Sequence, residues 1–140
     1  MGKRRKSRIL ALQWLYQMDI TDGEPQESMD IEADWAPDDP EIRAFARKLV
    51  EGVHCHRAEL DAIITQYASG WSLDRLALVD RNLLRMALLE INHMPDVPHR
   101  VAINEAVELA KTFSTAESGR FVNGILGNYA RSSIIDDPQT

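Results

Sequence analysis

Residues 83–91 read Leu-Leu-Arg-Met-Ala-Leu-Leu-Glu-Ile, a run in which only Arg85 and Glu90 are polar. A half-solvated strand would alternate apolar with polar residues, and a one-sided helix would keep a polar stripe. This run does neither, so it reads as a helix packed on several sides and as the centre of the fold. Working outward, Pro95 and Pro98 end it, because proline has no amide N–H to donate and disfavours helix in the residue before it. Val101 then opens a second helix, with Ile103, Ala106, Val107, Ala110 and Phe113 facing inward and Asn104, Glu105, Glu108 and Lys111 facing partly or wholly outward. On the upstream side Ser69-Gly70 breaks the pattern, and Ser72-x-x-Arg75, with Asp74 in its first turn, begins a new helix.

The same spacing recurs towards both ends. From Ser7 to Asp19 the apolar stripe is Ile9, Leu12 and Tyr16, with Leu15 and Met18 one step round, and Lys3 to Arg8 lead into it as a cationic arm. Residues 20–40 hold Gly23, Pro25, Pro37 and Pro40 among many acids and read as an extended, self-repelling loop, parts of which Met29, Ile31 and Trp35 could pin to the core. Asp39-Pro40-Glu41 is a helix start: a capping carboxylate, proline at the first helical position, then an acid near the positive end of the helix dipole. Ile42, Phe45, Leu49 and Val53 continue that helix, and Leu60, Ile63, Ile64 and Tyr67 form a further stripe, as two helices or one bent helix.

At the far end Ser114-x-x-Glu117 fits a capping box. Asn123-Gly124 is a hairpin signal, yet Phe121, Val122, Ile125, Leu126 and Tyr129 keep helical spacing, so helix is the better reading. Glycine in a helix costs about 1 kcal/mol relative to alanine, and the expected return at Gly124 is close backbone approach to the central helix. No segment alternates for long, which makes the class all-α, with six or seven helices in one domain of 140 residues.

The formal net charge of −6 is unevenly spread. Residues 1–18 carry +5 and no acid, residues 19–40 carry −9 and no base, and the rest is nearly balanced. A polyanion responds to the local patch rather than to the average, because each neutralised phosphate releases counterions locally. Cys55 is the single cysteine, so no intramolecular disulfide forms, and no apolar run approaches a membrane span. The expected location is the cytoplasm.

Catalytic signals are missing from the sequence: it has no glycine-rich phosphate loop, nucleophile elbow or dinucleotide fingerprint. His54-Cys55-His56 suggests metal ligands, but residues two apart on a helix point about 200° away from each other, and no second Cys or His pair follows. A solvated helix end is the better reading, and no enzyme, metal or cofactor is expected. The basic arm is a stronger signal because it runs into a helix bearing Gln13, Tyr16 and Gln17, where a ring can stack on a base and amides can read base edges. Glu117, Ser118, Arg120 and Phe121 set a charge, a hydroxyl and an aromatic beside helix N-terminal amides, which suit phosphate oxygens.

The basic start leading into Ala11–Gln17 (ALQWLYQ), the block Asp80–Glu90 (DRNLLRMALLE), Val101–Lys111 (VAINEAVELAK) and Phe121–Leu126 (FVNGIL) together resemble the NusB family of bacterial transcription antitermination factors. The resemblance runs over nearly the whole chain, apart from residues 20–40. It implies two small three-helix bundles, roughly residues 5–68 and 71–132. It also implies binding of boxA RNA from ribosomal RNA operons, jointly with the small-subunit ribosomal protein NusE, within the RNA polymerase elongation complex and alongside other Nus factors.

Carried over by position, the family's RNA surface falls on Arg4, Arg5, Lys6, Tyr16, Glu117, Ser118, Arg120 and Phe121. Glu117 stands where the family can have Asp, and Gly119 removes a side chain from the same turn. The partner surface is expected at Asp80, Arg81 and Glu105, with a partly buried pair of Arg85 with Glu105 or Glu90 as the intramolecular alternative. The whole reading requires the cationic front to be held near the aromatic-bearing turn from the far end of the chain, as one joint surface for a polynucleotide. Its rivals are a module that docks only protein, an accessory domain of an RNA-modifying enzyme and, more weakly, a helical metal or hydrolase protein. Exposed apolar surface leaves a homodimer open.

Overall fold

The computed structural model describes residues 2–29 and 38–132. Among them are seven α-helices, one 3₁₀ turn and no strand, as the absence of alternation requires. The chain divides into two compact units, residues 1–55 and 56–140.

The first unit holds α1 (Lys3–Thr21), α2 (Pro25–Met29) and α3 (Pro40–Cys55), with α1 packed chiefly on α3. Asp39 caps α3 as read from the sequence, its Oδ1 accepting from the Glu41 amide at 2.9 Å. The buried face of α3 is Ile42, Phe45, Ala46, Leu49, Val50 and Val53. In α1 the buried set is Leu10, Ala11, Leu12, Trp14, Leu15 and Met18, so the stripe is turned from the expected one: Ile9 is half-buried and Tyr16 is exposed. Apolar residues occur nearly all round this helix, so spacing alone did not choose among faces; Trp14, the largest apolar side chain in it, went inward. The expected loop is partly helical, since α2 fits inside it and buries Met29. Ile31 and Trp35, proposed as further anchors, lie outside the described residues.

The second unit holds α4 (Arg57–Tyr67), a 3₁₀ turn (Leu73–Arg75), α5 (Leu78–His93), α6 (His99–Phe113) and α7 (Ala116–Ser132). α5 is its axis and packs on α4, α6 and α7. Every residue from Asn82 to Ile91 is buried, as the opening run indicated. The family-based division near residue 68 assigns α4 to the first bundle, whereas in the structure α4 packs on α5 and α7. Leu60 and Ile64 are buried on it. Its Asp61 carboxylate takes two hydrogen bonds from Arg85 of α5, Nε at 2.7 Å and Nη2 at 3.2 Å, while Asn82 Oδ1 accepts from Nη1 at 3.1 Å. Asp61 is therefore a partner that the sequence reading did not consider.

Three further expectations are corrected. The helix anticipated at Ser72 is only the 3₁₀ turn, because Leu76 and Ala77 return to extended backbone before α5 begins. Phe113 does not face inward but stands 45% exposed at the end of α6, whose buried face is Ala102, Ala106, Leu109 and Ala110. Gly124 is exposed with open space where a Cβ would stand; the tight glycine is Gly119, where a Cβ would lie 2.7 Å from Lys111 Cγ on α6. Among the described residues no helix is long and apolar enough to cross a membrane.

Candidate nucleic-acid interface

In the first unit the cationic arm is itself helix, since α1 begins at Lys3 with Gly2 as its cap and no acid in its first turn. Positive charge at a helix N-terminus opposes the dipole, and α3 answers it: Lys3 Nζ sits 2.9 Å from Glu41 and 3.2 Å from Asp39. The hydrogen bond to Glu41, followed by that to Asp39, holds the Lys3 ammonium above its ordinary value. Successive helical residues turn by about 100°, which sorts the remaining groups. Arg5, Lys6, Gln13, Tyr16 and Gln17 fall within an arc of roughly 120° opposite the buried face. Tyr16 is 40% exposed there, and Ile20 is 57% exposed on the same side. Arg4 lies on the other side, its guanidinium stacked 3.8 Å above the Phe45 ring of α3, and Arg8 approaches the same ring at 5.7 Å.

In the second unit the start of α7 is capped by Thr115 rather than by the expected box of Ser114 and Glu117. Thr115 Oγ1 accepts from the Ser118 amide at 2.9 Å, and the Ser118 hydroxyl lies 2.9 Å from Ser114 Oγ and donates to Asp80 Oδ2 at 2.9 Å. Asp80, expected at a partner surface, is only 7% exposed and ties α5 to α7. Its neighbour Arg81 is half-buried and donates to the Leu76 carbonyl at 3.1 Å. Asp80 Oδ1 and Arg81 Nε are both shielded from solvent without a hydrogen-bond partner among the described residues. Glu105 is half-buried on α6.

Beside this junction opens a hollow of about 340 Å³ whose walls include Trp71, Arg75, Asp80, Thr115, Glu117 and Phe121. Phe121 is half-buried, while Glu117 and Arg120 are exposed. Trp71 was missed by the sequence reading. It stands 52% exposed directly after Ser69 and Gly70, whose φ angles of 42° and 85° put two residues in the left-handed region. That turn suits glycine and interrupts the chain between α4 and the 3₁₀ turn; the signal was the Ser-Gly break followed by tryptophan. The hollow thus offers an aromatic wall, one guanidinium and hydroxyls held in place by Asp80, a combination able to stack a planar ring and hydrogen-bond its edge.

A family model described as the NusB family matches residues 5–131. A transcription antitermination protein NusB from Symbiobacterium thermophilum is 56% identical over 91% of this chain and 89% of its own length. Among solved structures, T. maritima NusB superposes with a TM-score of 0.82 at 36% identity, covering 92% of this chain and 91% of that one. The antitermination factor NusB solved with NusE and double-stranded RNA superposes with a TM-score of 0.80 at 27% identity, covering 95% and 99%.

Proposed function

This chain belongs to the NusB family, and from that membership we propose that it is a non-catalytic, cytoplasmic RNA-binding antitermination factor. It binds boxA RNA of ribosomal RNA operons together with the ribosomal protein NusE, and with the other Nus factors joins the elongating RNA polymerase. The observation that carries this reading is the sorting of α1: Arg5, Lys6, Gln13, Tyr16 and Gln17 share its outer arc while Leu10, Ala11, Leu12, Trp14, Leu15 and Met18 are buried. Cations there contact phosphates, and Tyr16 stacks a base. On the second unit Glu117, Ser118, Arg120 and Phe121, with Trp71 beside them, make the other RNA-contacting surface. Arg81 and Glu105 contact the ribosomal partner, with Asp80 holding the turn behind them. The relative solved with NusE and double-stranded RNA supports an RNA ligand and the ribosomal partner.

A shift assay with a boxA-like RNA, with and without NusE, at several salt concentrations tests this. Each phosphate contact on a single strand contributes roughly 0.7 to the slope of log affinity against log salt. Replacing Arg5 and Lys6 with alanine flattens the slope by roughly 1.4. Adding Arg4→Ala takes the loss to roughly 2 if that cation leaves Phe45 for a phosphate, and leaves it unchanged if it does not. An unaltered slope in the double variant removes α1 from the RNA surface.

A further inference from the structure

We propose that His56, Glu59 and His93 form a site for a divalent transition-metal ion of zinc's class, which clamps the start of α4 to the end of α5. His56 caps α4, Glu59 lies in its first turn, and His93 is the last residue of α5. The two imidazoles stack with centroids 3.8 Å apart and planes 14° from parallel. The Glu59 carboxylate faces both rings: Oε2 lies 2.9 Å from His93 Nε2, and Oε1 lies 3.8 Å from His56 Nδ1. One ligand atom from each residue falls within 4.8 Å of the other two.

Zinc holds nitrogen and oxygen donors at about 2.0–2.2 Å in a tetrahedron, which sets neighbouring donors about 3.3 Å apart. Closing this set around an ion brings the donor atoms together by on the order of 1 Å and turns the two imidazoles out of their stack, so that both ring planes point at the ion. Two imidazoles and one carboxylate suit zinc and its neighbours; calcium and magnesium prefer all-oxygen sets, and copper(I) prefers sulfur.

An outer shell is also in place. Asn92 Nδ2 donates to Glu59 Oε2 at 3.4 Å, and Asn92 Oδ1 accepts from the Tyr129 hydroxyl of α7 at 2.8 Å. Such second contacts orient a ligand and commonly matter to affinity. The fourth position is left to solvent. Of the tripeptide His54-Cys55-His56 only His56 takes part: His54 Nε2 lies 3.6 Å from Glu24 in the first unit, and Cys55 is exposed. Within the second unit the site stands apart from the start of α7, since Asp80, which bonds Ser118, and His93 are separated by about 20 Å along α5 at 1.5 Å per residue.

An ion bound only by the folded chain raises its thermal midpoint. The test uses the full chain, stripped with chelator, dialysed, and titrated with zinc chloride at neutral pH by calorimetry and by thermal melting. One ion per chain and a higher melting midpoint are expected. His56→Ala and His93→Ala should each weaken binding at least tenfold and abolish the thermal shift, while His54→Ala and Cys55→Ser leave both intact. Glu59→Gln, which keeps side-chain size and removes the anionic donor, gives a second measure, and circular dichroism confirms that each variant is folded. Absence of binding by the parent, unchanged binding by folded His56 and His93 variants, or loss caused by the His54 or Cys55 variant overturns the proposal.

Discussion

Arg85 has a side chain that is only 2% exposed, and a cation so placed needs a nearby anion and a full set of acceptors to offset its desolvation. Asp61 supplies the anion and Asn82 a further acceptor. Removing Asp61 takes a bidentate anion from this buried guanidinium, so Asp61→Ala should destabilise the protein by about 3 kcal/mol, read as a lower midpoint in urea unfolding. Replacing both partners with apolar residues, Arg85→Met with Asp61→Leu, should cost less than Asp61→Ala alone, because the buried guanidinium goes together with its Asp61 partner. A larger loss in the double variant would show that Arg85 is held chiefly by its other hydrogen bonds.

At the scale of single helices, α7 and α3 are set by their ends. The N-terminal amides of α7 are served by Thr115 and by a chain of hydroxyls reaching Asp80, and Thr115→Ala should cost about 1 kcal/mol. Further along the same helix Gly124 faces open space, so Gly124→Ala should gain up to about 1 kcal/mol of stability. Gly119→Ala lacks that gain, because Lys111 would have to leave the helix face.

The start of α3 adds a pH dependence. The hydrogen bond from Lys3, followed by that from the Glu41 amide, lowers the Asp39 carboxyl below its ordinary 3.8. A depressed folded value means that this contribution is complete above the unfolded value and is lost as pH falls through the folded one. Asp39→Asn should therefore remove part of the acid sensitivity below pH 3.8 and leave its slope near neutrality unchanged, as acid titration followed by circular dichroism would show.

At the scale of the molecule, two units each carry an exposed aromatic beside cationic groups, Tyr16 on the first and Trp71, with half-buried Phe121 beside it, on the second. Base stacking on an aromatic is worth about 1–3 kcal/mol, so Tyr16→Ala and Phe121→Ala should each weaken the same RNA by that order if it engages both units. A loss confined to one variant would assign the RNA to that unit alone.

The sequence by itself determined the helical class, the Asp39 start of α3 and the many-sided burial of α5, because periodicity, proline and capping chemistry act within a few residues of themselves. It also marked α1 and the start of α7 as the charged and aromatic surfaces. Only the tertiary structure decided which arc of α1 turned inward, where Phe113 and Gly124 faced, that Arg85 met Asp61 and that His56 met His93. Those outcomes depend on how each helix is rotated against partners 24 or more residues away, and several rotations satisfy the same local spacing until side-chain volumes have to fill one core.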